Sequence, residues 1–412
     1  MPGLSVLICG SGIAGPTLAY FLTQANVRVK IIERSASPRH SGLGVDIRGP
    51  ALDVIRRMGL EERIRGKTTG EEGLVCVDSD GKVLSRFLID GDDLENSPTS
   101  DCEIMRSELA ELLCDAALGM KGVEVEYGIW AEGIAQDELG VQVEFSSGRS
   151  ERFDLVVAAD GLGSATRKLV LHMENMEVIH SLGQYTAYFS IPREESDGKF
   201  WQWHAAPNSL QLFIRPKNEE ECCAYLSIMP HEHSEPFRTL IKASTSEQKV
   251  VLASFFEGGG WQTERLLSGM CKAEDFYLQH IAQVKLSSWS EGRCVVVGDA
   301  AYCPSPLSGL GTSLAILGAY VLAGEIAKES NGEGDGVKEA LARYERKMRP
   351  YVEEKQKLLP GMPWLVCPRS KWGVGVLNWI VWLVPWSRAI KLLRLLRGKG
   401  EGEKFELDNY QF

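Results

Sequence analysis

Three observations predict an α/β fold. An apolar run enters Gly10-Ser11-Gly12-Ile13-Ala14-Gly15 directly, two later apolar runs end in an acid beside a glycine, and short alternating segments lie between those two. The architecture they predict is a Rossmann-like dinucleotide-binding domain with an inserted antiparallel β-sheet domain and a C-terminal helical tail. A chain of 412 residues has room for this, since single cores stop growing near ~250–300 residues. Hydrophobic residues at 44% and charged residues at 25%, with a mean hydropathy of -0.12, exclude a disordered chain and a polytopic membrane protein. The net charge of -11 repels a phosphate backbone, so no nucleic acid partner is expected. Ten cysteines without CxxC spacing read as reduced core thiols, with no disulfide framework and no metal site. The N-terminus shows no basic region or cleavage site before its apolar run, and the expected location is cytoplasmic.

Leu4 to Cys9 reads as a buried parallel strand, followed by a helix to about Gln24 and a second strand from Val27 to Ile32 that ends in Glu33. Gly10 allows the tight turn, Gly12 lets the backbone approach a pyrophosphate, and Gly15 allows close helix–strand packing. Ile13 and Ala14 open the helix, whose N-terminus faces the anion. Glu33 follows Gly15 by 18 residues and suits the hydroxyls of an adenosine ribose, with Arg34 beside it. The motif alone does not separate NAD from FAD, because both carry the ADP half.

Two later segments narrow the choice. Phe153 to Ala159 is an apolar strand running into Asp160-Gly161, and then into Leu162 to Arg167. Cys294 to Val297 repeats the theme, ending in Gly298-Asp299; a loop with Pro306, Gly309 and Gly311 then leads into a helix over 312–328. Asp160 and Asp299 each close an apolar strand and need a partner to offset desolvation, a helix-capping role being the alternative for each. An acid at such a tip can bind a ribityl hydroxyl, and the N–H groups around Thr312 can stabilise negative charge on a flavin ring.

These three stretches, in this order across residues 4–330, resemble the single-component (class A) flavoprotein monooxygenases, the para-hydroxybenzoate hydroxylase-like family that includes the tetracycline-inactivating and polyketide-tailoring enzymes. The resemblance implies FAD, with NAD(P)H as a transient co-substrate and O2. It further implies oxygen transfer through a C4a-hydroperoxyflavin to an aromatic or polyketide-like small molecule. Residues 104–109 are similar to the segment whose arginine approaches the ribityl and pyrophosphate groups, which carries that role to Arg106. The stretch 42–50 resembles the one lying beside the isoalloxazine, and makes Gly44, Val45, Asp46 and Arg48 flavin-proximal. Tyr302 stands where many relatives have histidine, and Thr312-Ser313 replaces a small residue plus asparagine.

Residues 1–172 and 286–350 are assigned to a split FAD-binding domain, 173–285 to a substrate-binding β-sheet domain and 351–412 to a C-terminal helical region. Tyr185–Ile191, Lys199–His204, Ser209–Arg215 and Cys223–Met229 alternate as strands do, and a helical stretch near Pro236–Phe256 would cover one face. Alternation puts Gln211, Phe213 and Arg215 on one face, and Gln211 and Arg215 are the catalytic candidates. Arg215, before Pro216, reads equally as a solvated strand-end residue; Trp201 and Trp203 share this choice between pocket and surface, His204 reads as a surface residue, and His231 and His233 as no metal site. Trp201 to His204 also lacks the Trp-x-Trp-x-Ile-Pro pattern of halogenases.

The apolar run 372–386 is short of the ~20 residues a spanning helix needs. Arg388, Lys391, Arg394 and Arg397 then mark a basic amphipathic helix. It reads as a helix packed across both domains and walling the substrate cavity, with peripheral membrane contact as the second reading. A flavin-dependent dehydrogenase or oxidase of the same fold is the alternative activity, and a non-catalytic FAD-binding protein a third.

Overall fold

A computed structural model describes residues 4–38, 42–88, 100, 102–230, 235–330, 336–383 and 405–412. Ser5–Cys9 lies inside a six-stranded sheet whose order is Ser290–Glu291, Cys294–Val296, Leu155–Ala158, Ser5–Cys9, Arg28–Glu33 and Val123–Tyr127. All its pairings are parallel except that of the short edge strand Ser290–Glu291. Val6, Leu7, Ile8, Val156 and Val157 are fully buried, as expected of strands covered on both faces. The helices Ala14–Gln24 and Gly311–Ser330 pack on each other beside this sheet, and the antiparallel strands Ala131–Gln136, Val141–Phe145 and Ser150–Phe153 form a small separate sheet.

The second large sheet has seven strands, in the order Tyr277–Val284, Ile179–Pro192, Glu221–Ile228, Leu210–Pro216, Trp201–Ala206, Gly73–Val77 and Val83–Leu88. Its last two strands come from the stretch that sequence reading had placed wholly in the first unit. Gly73–Val77 instead runs parallel to Trp201–Ala206, and a five-residue apolar run carries no sign of which sheet it will join.

Alternation along these strands separates two faces. Ala187, Leu212, Ile214, Ala224 and Leu226 pack beneath Phe237, Leu252, Phe256, Leu266 and Met270. These last come from three helices, Glu235–Leu240, Thr245–Phe256 and Thr263–Lys272, where one helical stretch was expected. Ser244 starts the second of them, its hydroxyl and the Glu247 carboxylate forming a reciprocal capping box. On the opposite face, direct cross-strand partners form a row, Trp203–Phe213–Tyr225–Tyr188–Tyr277, crossing five strands. Consecutive ring centroids along it are 6.3, 6.2, 4.9 and 4.9 Å apart.

The helix Lys371–Leu383 lies against this same face, Val381 meeting Leu74, Phe87, Trp201 and Trp203. Trp372, Trp379 and Trp382 point outward. The basic stretch 388–397 lies outside the described residues, as do His231 and His233. Among the described residues, no helix is long and apolar enough to cross a membrane. The chain returns to the first unit at 405–412, where Phe412 meets Phe21 and Tyr320, and the Tyr410 ring fills the notch left by Gly324.

Candidate active site

The first glycine turn is shaped by what surrounds it. Gly10 has φ +119, and a Cβ there would lie 2.5 Å from the Ala159 carbonyl oxygen; one on Gly15 would lie 2.0 Å from the Gly10 carbonyl oxygen. Both positions therefore require glycine for the fold itself. Gly12 differs, because nothing lies within 4 Å of where its Cβ would be. That open space beside a helix N-terminus suits a pyrophosphate, and Gly161 and Gly163 face similar openings. Ile13 and Ala14 are buried at the helix start. Glu33 accepts from the Ser11 N–H at 3.1 Å and the Ser35 N–H at 2.9 Å, which holds its carboxylate at the turn, while Arg34 is exposed beyond it.

The other stretches close on this turn. The Cβ position of Gly298 is 3.1 Å from the Ala14 Cβ, and Arg167 is fully buried, with Nη1 donating to the Ala300 carbonyl at 2.8 Å and Nη2 to that of Leu162 at 3.0 Å. Arg167 thus staples the second loop to the third. The two strand-closing acids part company here. Asp160 accepts from Ser164 Oγ and from the Thr166 N–H at 3.1 Å, so it caps the helix Ala165–Leu171 at the exposed end of its strand. Asp299 is half-buried, 3.5 Å from the Cβ position of Gly311; burial raises its pKa and the Arg106 charge opposes the rise. The short helical turn at Pro306 ends in Gly309 at φ +65, and the helix carrying Thr312 starts at Gly311.

Gly44–Asp46 and Glu103–Met105 form a two-stranded antiparallel ribbon. The Arg106 N–H donates to the Leu43 carbonyl at 3.0 Å, Arg48 pairs with Asp46 at 3.0 Å, and the Arg48 N–H donates to Ser313 Oγ at 2.9 Å. The ribbon is thereby tied to the helix that carries Thr312. Ser313 replaces the family's asparagine with a hydroxyl that serves as this acceptor. Tyr302 is buried among Trp289 and Tyr344, with the Tyr344 hydroxyl 3.1 Å from its own, so this departure from histidine fills core volume.

Three residues of the substrate sheet sit differently from the expectation. Arg215 is not a solvated strand end but is held in buried ion pairs. Its side chain is 8% exposed, and it forms a bidentate pair with Glu71, both distances 2.9 Å, and a second pair with Glu103 at 2.8 Å. Gln211 Nε2 donates to the Val366 carbonyl and serves to hold the segment leading to the C-terminal helix. His204, expected at the surface, is buried, with Nδ1 3.1 Å from the Val77 carbonyl oxygen and Nε2 3.2 Å from that of Gly259. What this face does present is the aromatic row. The Tyr225 hydroxyl and the indole nitrogens of Trp201 and Trp203 are buried without a hydrogen-bond partner among the described residues. Sequence reading missed Glu71 and Glu103. Glu103 had a local signal, being the one charged residue in an apolar run just before Arg106, whereas Glu71 had none.

A cavity of about 430 Å³ bounded by Val284, Leu286, Trp289, Arg349 and Gln356 is lined by none of the glycines or the aromatic row. It plays no part in this site. None of the ten cysteines is in a disulfide, and only Cys271 is exposed.

Comparison with known proteins places the geometry in context. Residues 3–357 match a family model described as an FAD binding domain. The chain is 37% identical over 418 residues to monooxygenase CTB7 of Cercospora beticola, covering 99% of this chain and 97% of that one. It is 34% identical to the flavin-dependent monooxygenase eupH of a Phoma species, covering 100% and 98% respectively. Among solved structures it superimposes on tetracycline destructase Tet(51) with a TM-score of 0.77 at 32% identity, covering 100% of each chain.

Proposed function

On the premise that the chain belongs to the FAD-binding-domain family and is an FAD-dependent monooxygenase, we propose that it uses NAD(P)H and O2 to add one oxygen atom to an aromatic or polyketide-like small molecule rich in hydrogen-bond acceptors. Gly10, Gly12, Gly15 and Glu33 would hold the adenosine and pyrophosphate half of FAD, with Arg34 at the rim. Arg106, Asp299, Pro306, Gly309, Gly311 and Thr312 would hold the ribityl chain and the ring, with Gly44, Val45, Asp46 and Arg48 flanking the ring; Asp160 contributes by capping its loop. Bound there, FAD supplies the redox and oxygen-activating chemistry.

The chain's own task is to position the substrate and exclude water. The observation that carries the substrate class is the aromatic row, an apolar floor of stacked and edge-on rings facing Leu43 and the ribbon's Met105. Floors of this kind stack planar rings. Burial pushes the Tyr188, Tyr225 and Tyr277 hydroxyls upward in pKa, so they stay protonated at neutral pH. The Tyr225 O–H and the indole N–H groups are therefore donors, and a carbonyl or phenolate oxygen would satisfy them. The enclosure also keeps out the water that would divert activated oxygen to peroxide.

The test measures NAD(P)H oxidation by FAD-loaded protein against a panel of hydroxylated polycyclic aromatics. Substrate-stimulated oxidation, a product heavier by one oxygen from O2, and a raised KM in Tyr225→Phe are expected. Turnover that proceeds without O2 would overturn the reading in favour of a dehydrogenase, O2 reduced wholly to peroxide beside an oxidised product that gains no oxygen atom in favour of an oxidase, and a wholly unresponsive panel in favour of a non-catalytic FAD-binding protein.

A further inference from the structure

One guanidinium joins the two units of this protein. Arg215 lies on the substrate sheet, Glu71 on the loop before Gly73–Val77, and Glu103 on the ribbon. The Trp201 ring lies 4.6 Å from the guanidinium carbon, which puts the cluster next to the aromatic face. Glu103 touches three segments at once: it pairs with Arg215, accepts from Thr69 Oγ1, and presses on Gly44, where a Cβ would lie 1.8 Å from its Oε1. Asp46 is its direct partner across the ribbon. We propose that Glu103 is a positioning residue that couples occupancy of the substrate face to the placement of the flavin-flanking ribbon, through the buried Glu71–Arg215–Glu103 cluster. This rests on the reading above that the ribbon flanks FAD.

The electrostatics fit that role. Facing Glu103 are Arg215 from the sheet, Glu71 and Thr69 from the loop, and Asp46 from the ribbon. One cation cannot compensate two buried carboxylates as well as it compensates one. Glu103 is pushed up to about 8, first by burial and then by Glu71 and Asp46, with Arg215 and Thr69 opposing. The bidentate Arg215–Glu71 pair is thus the better compensated of the two, and Glu103 takes up a proton more readily than an exposed glutamate does. Ionisation adds an uncompensated charge at the point where ribbon and substrate sheet meet.

The variants are Glu103→Gln, which mimics the protonated state, and Glu103→Ala. In FAD-loaded protein, Glu103→Ala should lower the ratio of substrate-stimulated to substrate-free NAD(P)H oxidation by about tenfold, in the range of ordinary site-to-site coupling. Glu103→Gln should restore the ratio and hold it constant as pH rises through about 8, where the wild type loses it. In FAD-free protein, the wild type should lose melting temperature relative to Glu103→Gln as pH rises from 4.5 to about 8. Equal pH profiles for wild type and Glu103→Gln in melting would overturn the proposal. So would a fall in stimulated and substrate-free rates by the same factor in Glu103→Ala, which marks a plain structural defect. If no compound stimulates the wild type, the proposed substrate fails on its own account, while the melting comparison still decides the role of Glu103.

Discussion

Two buried glutamates in this molecule titrate in opposite directions. Glu103, at the junction of ribbon and substrate sheet, is 2% exposed and shares one guanidinium with Glu71. Glu325, on the helix Gly311–Ser330, is fully buried but receives Arg343 at 2.8 Å, Lys347 at 2.7 Å, Lys328 at 3.2 Å and the Tyr410 hydroxyl at 2.8 Å. Burial works upward on both. For Glu325 the Lys347, Arg343 and Tyr410 hydrogen bonds override it and bring the carboxyl down to about 2, whereas Glu103 rises to about 8. The number of cations per acid, and not depth, decides the sign. A surplus of cations makes a fastening, and a deficit makes a site that can change state.

The contrast can be broken in several ways. Arg215→Met strands two buried acids and should cost about 3–5 kcal/mol in urea denaturation, while Arg343→Met leaves Glu325 its lysines and Tyr410 and should cost about 1 kcal/mol. Equal losses would sink the cation-count argument. Next come the pH slopes, each up to about 1.4 kcal/mol per pH unit for one group. The folded pKa of Glu103 lies above its ordinary 4.5, so its share of stability is complete below 4.5 and disappears as pH rises through about 8. The folded pKa of Glu325 lies below 4.5, so its share is complete above 4.5 and is lost as pH falls through about 2. Melting curves of Glu103→Gln and Glu325→Gln should therefore meet wild type in acid and part from it with opposite signs as pH rises, Glu325→Gln falling below wild type between about 2 and 4.5 and Glu103→Gln rising above it between 4.5 and about 8.

Asp299 extends the series to the flavin site. Asp299→Ala should purify largely colourless, with visible absorbance per protein down by about tenfold, which takes an affinity loss of more than ~1.4 kcal/mol; a fully yellow variant would remove Asp299 from the site. The smallest effect is that of Tyr410→Phe, which deletes one of several bonds to Glu325 and should cost about 0.5 kcal/mol in thermal denaturation.

The glycine turns were legible in sequence because their requirement is local. Gly10 and Gly15 collide with neighbouring backbone if given a side chain, and apolar strands lead straight into the turns, so residue type and position suffice. The alternation that places Leu210, Leu212 and Ile214 opposite Gln211, Phe213 and Arg215 was readable for the same reason. Partners contributed from elsewhere in the chain were not. Arg215 finds Glu71 across 144 residues, His204 finds Val77 across 127, and no spacing rule links them. Asp160 and Asp299 look alike as strand-closing acids, yet the serine and threonine following Asp160 turn it into a cap.

The pairing of Gly73–Val77 with Trp201–Ala206 has a practical consequence for anyone dissecting this protein. Because the chain leaves the nucleotide-binding unit, contributes two edge strands to the other sheet and returns, the units are laced together and not strung in series. An excised fragment covering 173–285 would leave Trp201–Ala206 with bare backbone amides and carbonyls along one side, an open template for self-association. Engineering should exchange the two edge strands together with the sheet they complete.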